Sequence, residues 1–453
     1  MSCITVLTAS TLPALGIHWL FLFDLRIRHE LSVSALTHTY PSARTVGVIQ
    51  LPLQMSRKLI VVLVILGNIL LAFIIFIALL LGPGRKYFHK AVAPLQPGVL
   101  QGSALFSKST FLTHKALGDI SEIRTGWPAT LNHTAITVVG IAGADFLDSN
   151  GLPRRNVLFD TRCYVPARVM KLDAEGTYAF LTHEENLACP AKIYDSTGKS
   201  IWSQKPKWGA FDSAAGNTSG DPSGPDAYSI GIAQIGLGGL LLFNQSGQLW
   251  AVSQPNVWHV EFLDVNSNGR DEILHSEGQG HLIVRDSTGK FLADYTPDFF
   301  VMHFSITRWG SESTPTHILV PSQNPISIFS GIIAVLDRGG HKVAEFPSPN
   351  NVLFNRAYGT SVNFGPGADD FAVIVSNYQS RNSMLLIYDP QQKIVYQESL
   401  RSMCEGISAI PAQDKEELLL GCTGTVWRYA PAGAPPAARP NSDEPLKSRP
   451  TSN

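Results

Sequence analysis

The residues 264–272, Asp264-Val-Asn-Ser-Asn-Gly-Arg-Asp-Glu272, have the types and spacing of a loop that folds around a hard cation. Oxygen-bearing side chains stand at the first, third and fifth positions (Asp264, Asn266 and Asn268), and Gly269 at the sixth allows the sharp turn that lets them converge. Arg270 would add its backbone carbonyl and Glu272 a second carboxylate. The expected ion is calcium, held weakly because only two carboxylates are present. The alternative is a turn rich in Asn and Gly that needs no ion. Asp148-Ser-Asn-Gly151 is a degenerate fragment of the same pattern, because Phe146 occupies its first ligand position.

Other chemistry is sparse. The chain has five cysteines and none in a C-x-x-C pair, which argues against a zinc or haem site. Cys163 and Cys189, and Cys404 and Cys422, are expected to form two disulfides if the domain is exported, and otherwise to be buried thiols. Asn132, Asn217 and Asn244 begin N-x-[ST] motifs, the last within a turn. There is no G-x-S-x-G, H-E-x-x-H, phosphate loop or G-x-G-x-x-G. His183-Glu184-Glu185 lacks a second His at helical spacing and reads as solvated turn residues. No catalytic or cofactor-binding residue is assigned.

The elements that would hold the oxygen-rich loop recur along the chain. Each is an apolar strand, a polar turn and a second apolar strand. The turn residues are Asp195, Asn244, Asp286, Asp337 and Asp389, spaced by 49, 42, 51 and 52 residues. Four turns contain Gly; Asp389-Pro-Gln-Gln392 does not. A further strand pair precedes each hairpin, as in Val260-Glu-Phe-Leu before Ile273-Leu274. Thr137-Val-Val-Gly and Asn156-Val-Leu-Phe159 read as an opening unit, and 417–422 with 426–429 as a closing one. Four strands repeating about every fifty residues predict an all-β protein, a β-propeller of about seven four-stranded blades.

Two resemblances follow from these residues. Tyr194-Asp-Ser-Thr-Gly-Lys-Ser-Ile-Trp202 resembles the blade motif of pyrroloquinoline-quinone-type propellers, in which a Trp docks blade to blade. Trp202 and Trp250 match that position, whereas Leu292, Val343 and Val395 do not. The quinone-dependent enzymes of that family usually carry an adjacent Cys-Cys pair, absent here. The 264–274 segment looks like the calcium-loop repeat of FG-GAP/VCBS propellers, also found in integrin α-subunits. That resemblance implies Asp264, Asn266, Asn268, Arg270 and Glu272 as the ligands.

Residues 59–81 form a run of 23 without a charge, long enough at 1.5 Å per residue to cross a ~30 Å hydrocarbon core as one transmembrane helix. Met55-Ser-Arg-Lys before it gives the form of a signal anchor, with 1–54 a disordered or extraneous extension. Residues 82–129 read as a stalk, 130–430 as the propeller and 431–453 as a Pro-rich disordered tail. Flanking positive charges do not settle orientation; the cysteines and domain type place the C-terminal domain outside the cytoplasm. With 35 basic and 36 acidic residues, a nucleic-acid partner is not expected. The function expected is a membrane-anchored binding or scaffolding module for a protein or carbohydrate ligand, with Trp208, Trp258, Trp309 and Tyr358 as candidate face residues. The alternative is an extracytoplasmic propeller enzyme, a polysaccharide lyase, glycosidase or quinone-dependent dehydrogenase, marked by acidic residues or a cofactor at the channel mouth.

Overall fold

The computed structural model describes residues 66–67, 69–70, 100–101, 105–125, 136–159, 167–171, 178–182, 190–220, 228–234, 236–322, 332–347, 354–365, 367, 369–377, 380–412 and 415–432. The chain divides into two units, residues 1–78 and 79–453. Of the first, Leu66, Gly67, Ile69 and Leu70 are helical. The rest of the expected span at 59–81, residues 1–54 and the tail beyond Ala432 lie outside the described residues. Among the described residues no helix is long and apolar enough to cross a membrane.

The second unit is a seven-bladed propeller. Its described strands form seven antiparallel sheets, six of four strands and one of five. The first strands of blades 1 to 7 are Ile120–Thr125, Ala167–Lys171, Asp212–Gly216, His259–Leu263, Ser305–Thr307, Arg356–Val362 and Cys404–Ala412. Each lies beside the first strand of the next blade, and the ring closes where Cys404–Ala412 packs on Ile120–Thr125. These strands line the axis, and fourth strands lie at the rim.

The middle strands explain why the sheets stack. Ser229–Gln234 and Gly239–Asn244 of blade 3 are buried throughout, on both faces. A sheet apolar on both sides needs a neighbour on both sides. The described apolar core accordingly falls into seven clusters, one at each blade interface. Outer strands such as Gly247–Val252 alternate toward solvent.

The propeller starts earlier than the expected boundary at 130. Ile120–Thr125 is the axial strand of blade 1, and Phe106–Thr113 is the outer strand of blade 7, paired with Thr425–Pro431. Leu100–Gln101 adds a fifth strand to blade 6 through Glu398 and Gln397. Part of the stretch read as a stalk therefore fastens the ring. The reason it escaped notice is its polar, weakly periodic outer strand, whose contacts lie more than 300 residues away in sequence. Phe106 anchors it, packing on Phe364 at 4.7 Å and Tyr396 at 5.3 Å. A disulfide joins Cys404 to Cys422 across the first two strands of the same blade. Cys163 and Cys189 lie outside the described residues.

The repeated turn has one geometry. In blade 2, Asp195 Oδ1 accepts the N–H groups of Thr197 (2.8 Å) and Lys199 (3.1 Å). Asp286, Asp337 and Asp389 accept the equivalent pair in blades 4, 5 and 6. Asp148 does the same in blade 1, accepting from Asn150 and Leu152 at 2.9 Å each. The fragment that resembled an incomplete cation loop is thus the sixth copy of the hairpin turn. Asn244 of the third sequon is the turn residue of blade 3 and is buried.

Three residues after the Asp, the backbone is left-handed: Gly151, Gly198, Gly289 and Gly340 have φ between 81° and 86°, and Gln392 has φ 64°. The missing Cβ also lets the preceding blade approach. A Cβ on Gly289 would lie 3.0 Å from the Trp250 ring, and one on Gly340 2.4 Å from Tyr295. Trp250 further donates its indole N–H to Ser287 O at 2.8 Å, tying blade 3 to blade 4. Trp202 packs edge-on against Phe243, joining blades 2 and 3.

Gly198→Ala is expected to destabilise the fold, because its Cβ would meet Leu158 O at 2.4 Å as well as occupy a left-handed conformation. Gln392→Gly should be neutral or stabilising by up to about 1 kcal/mol, relieving the same conformation. Thermal unfolding of both variants checks the pair; equal effects of the same sign would contradict the shared turn geometry.

Candidate functional site

Two places on the propeller concentrate polar side chains. The first is the axis, at the end where each first strand begins. Six charged residues and two imidazoles come from all the blades there: Glu122, Arg168, Asp212, His259, Glu261, His303, Arg356 and Glu405, with Tyr358 beside them. The sequence reading named only Tyr358. The missed signal was a charged residue within the first three positions of otherwise apolar first strands, as at Asp212, Glu261, Arg356 and Glu405.

These groups are paired across blades. Glu122 of blade 1 accepts the Val169 N–H of blade 2 at 2.7 Å. Arg168 donates to Glu261 of blade 4 and lies 3.8 Å from Asp212 of blade 3. Asp212 Oδ2 meets His259 Nδ1 at 2.5 Å and accepts the Val260 N–H at 3.0 Å. His259 stacks on His303 with ring centroids 4.2 Å apart. Tyr358 Oη lies 3.3 Å from His303 Nε2, and Arg356 donates to Glu405 at 2.6 Å. Such pairing is what makes burial of charge tolerable, since an unpartnered ion in the interior costs several kcal/mol.

The protonation states follow from this geometry. Burial works against charge on His259, but Asp212 and then Glu261 outweigh it, so the imidazole titrates above its ordinary value. His303 is held well below its ordinary value by burial and by the positive charge of His259 beside it. Burial opposes ionisation of Glu261 too, yet Arg168 and His259 hold its carboxyl below the usual range. The axis is therefore a network of paired groups, with each carboxylate facing a donor.

The second place is the opposite end, which carries the loops between first and second strands and the Asp turns. A cleft of about 500 Å³ opens there between blades 5 and 6. Trp309, Phe346 and Phe371 form its aromatic wall, and Asn363, Asp369 and Asp389 its polar side. Trp309 sits edge-on to Phe371 at 4.9 Å and to Phe346 at 5.8 Å. At the edge of this cleft Arg308 grips Glu416 with two bonds of 2.7 and 2.6 Å.

The four expected face residues are not brought together. Tyr358 is in the axial network, and Trp309 lines the cleft. Trp258, at the start of blade 4, packs on Phe211, and Trp208 is a partly exposed residue in the link to blade 3.

The 264–272 loop joins the first two strands of blade 4 at the same end as the cleft. Asp264 accepts the N–H groups of Asn268 (3.0 Å) and Gly269 (2.8 Å). Asn266 Oδ1 accepts from Asn268 N at 3.2 Å, and Asn268 Oδ1 from Arg270 N at 2.8 Å. Glu272 takes the Val265 N–H at 3.0 Å and the Asn266 amide at 2.8 Å. The loop is thus closed by its own hydrogen bonds. Burial, reinforced by the charge of Asp264, raises the carboxyls of Asp271 and Glu272. Among the described residues no group of three or more His, Cys, Asp or Glu is placed to hold a metal ion.

No family model matches the chain, and no curated protein does. Solved structures similar to it include BBS1N in complex with ARL6DN, 8% identical over 76% of this chain and 100% of that one, with a TM-score of 0.44. Another is the Neurospora crassa Pan2 WD40 domain, 11% identical over 73% of this chain and 96% of that one, with a TM-score of 0.44.

The axial network makes a pH prediction. Because the folded pKa of His259 is raised, its contribution is fully present below its unfolded value of about 6.5 and is lost as pH rises through the folded value. Wild type should exceed His259→Gln in unfolding free energy most at about pH 6, and the gap should narrow toward pH 9. Denaturant unfolding across that range measures it; a gap that widens with pH would contradict the pairing with Asp212.

Proposed function

We propose that the chain is a membrane-anchored binding module whose propeller lies outside the cytoplasm and receives a protein or carbohydrate ligand at its loop end. The observation that carries this reading is the contrast between the two ends. At the axis the carboxylates are committed to cations and backbone donors of neighbouring blades. A glycosidase needs carboxyls placed on either side of a substrate bond, with one kept as an acid. The cleft between blades 5 and 6, by contrast, combines concavity, an aromatic wall and a few polar groups, the usual make-up of a recognition site. The uncharged run at 59–81 supports the anchor. The Cys404–Cys422 disulfide supports export, because such bonds persist in oxidising compartments. The interblade seat of Trp250 supports kinship with quinoprotein-like propellers, and the 264–272 loop with FG-GAP/VCBS propellers.

Export is tested on the full chain from its own cells, acid-quenched and alkylated without reduction. Cys404 and Cys422 should resist alkylation until a reductant is added; immediate labelling of both would overturn the localisation.

We further propose weak calcium binding at the 264–272 loop. Asp264, Asn266, Asn268, the Arg270 carbonyl and Glu272 would hold the ion, and a divalent charge would relieve the repulsion of Asp264 on Asp271 and Glu272. Glu272 would have to release the Asn266 amide, which keeps the affinity low. At calcium about 100 times the dissociation constant, stability should rise by about 2.7 kcal/mol. Asp264→Ala should abolish that increment and leave the calcium-free melting point nearly unchanged. Superimposable wild-type curves with chelator and with calcium would mean the loop is a turn alone.

A further inference from the structure

We propose that the cleft between blades 5 and 6 takes the guanidinium of an arginine side chain presented by a protein partner, an inference that rests on reading the loop end as the binding face. Three observations converge on it.

The first is shape and wall chemistry. The cleft holds about 500 Å³, room for one long side chain, and one side is built from Trp309, Phe346 and Phe371. Phe346 and Phe371 are nearly fully buried and stack at 5.2 Å, and both meet Trp309 edge-on, so they back the partly exposed Trp309 ring. The second is charge. Asp369 and Asp389 line the cleft, Asp370 begins the strand beside them, and the charge of Glu416 acts on Asp369. Arg308 is the cation acting on Asp369, and its guanidinium is already held by Glu416 and by the Ser361 carbonyl. Negative charge therefore exceeds positive in a concave, partly apolar space. Burial and this repulsion raise the carboxyl of Asp369, and that of Asp370 up to about 6.

The third is selectivity among ligands. An anion is repelled. A neutral sugar could stack on the rings but would leave the carboxylate repulsion in place. An ammonium is compact and strongly hydrated, and gains little from the ring wall. A guanidinium is planar and weakly hydrated, stacks on aromatic faces and bonds carboxylates in its plane. Its methylene stem would lie along Trp309 as the head reaches Asp369.

The test uses the full chain and three probes: acetyl-Gly-Arg-Gly-amide, its citrulline analogue, which keeps the shape without the charge, and its lysine analogue. Saturation-transfer NMR and tryptophan fluorescence report binding at millimolar probe concentrations. The arginine probe should bind about tenfold tighter than citrulline and several-fold tighter than lysine. Asp369→Asn should bring arginine down to the citrulline level with an unchanged melting point. Because the citrulline comparison is made on wild type, a misfolded variant does not blunt it. Equal binding of arginine and citrulline overturns the proposal and leaves the cleft as a binding site of other chemistry. No arginine binding up to about 10 mM also overturns it, that being weaker than one paired and stacked guanidinium should give. Free thiols at Cys404 and Cys422 would remove the exported reading without touching the arginine result.

Discussion

Every blade is a sheet with two apolar faces, and everything else in the propeller follows from the need to cover both. Ile332–Leu336 and Asp370–Asn377 are buried along nearly their whole length. Neither could be exposed on one side without uncovering several large side chains, each worth roughly 1.5–3 kcal/mol when buried. Stacking blade on blade solves this only if the last blade meets the first. The seven interblade clusters are therefore one continuous circuit with no free end. Closure is made where the earliest strand, Phe106–Thr113, completes the latest sheet. The disulfide between Cys404 and Cys422 fixes the axial strand of that same blade.

Ring geometry forces seven first strands together at the axis, and this explains the charges there. Ions buried there must be paired, since an unpartnered charge in the interior costs several kcal/mol. Arg168 reaches past blade 3 to Glu261 in blade 4, a pairing that the convergence of the first strands at the axis permits. His259 and His303 share a stack in which Asp212 and Glu261 favour the proton on one, while burial and the charge of the first disfavour it on the other. Such a network specifies which blades are neighbours. At the opposite end the first-to-second-strand loops differ from blade to blade while the Asp turns stay alike.

Much of the fold was legible in the residues. The turn Asp at 195, 286, 337 and 389 recurs because a carboxylate capping two N–H groups is a local device, and local devices leave local patterns. The period of these turns and the doubly apolar strands between them gave the propeller and about seven blades. Asp148-Ser-Asn-Gly151 is degenerate as a cation loop because Phe146, at the first position of that pattern, is a core residue of the preceding strand.

What the sequence by itself determined, then, is whatever depends on neighbours in the chain: the hairpins, their left-handed glycines, the four-strand unit, and a 23-residue uncharged run. Only the tertiary structure decided which strand closes the ring. Phe106–Thr113 and Thr425–Pro431 are partners across more than 300 residues, and nothing in either marks the other. The axial network belongs to the same class, for Arg168 and Glu261 lie 93 residues apart and look singly like ordinary surface charges. So does the cleft, whose wall is made by Trp309 and Phe346 of blade 5 with Phe371 of blade 6. The physical reason is common to all three: their energies come from groups that approach only when the ring shuts, and a pattern read along the chain carries no record of who will stand beside whom.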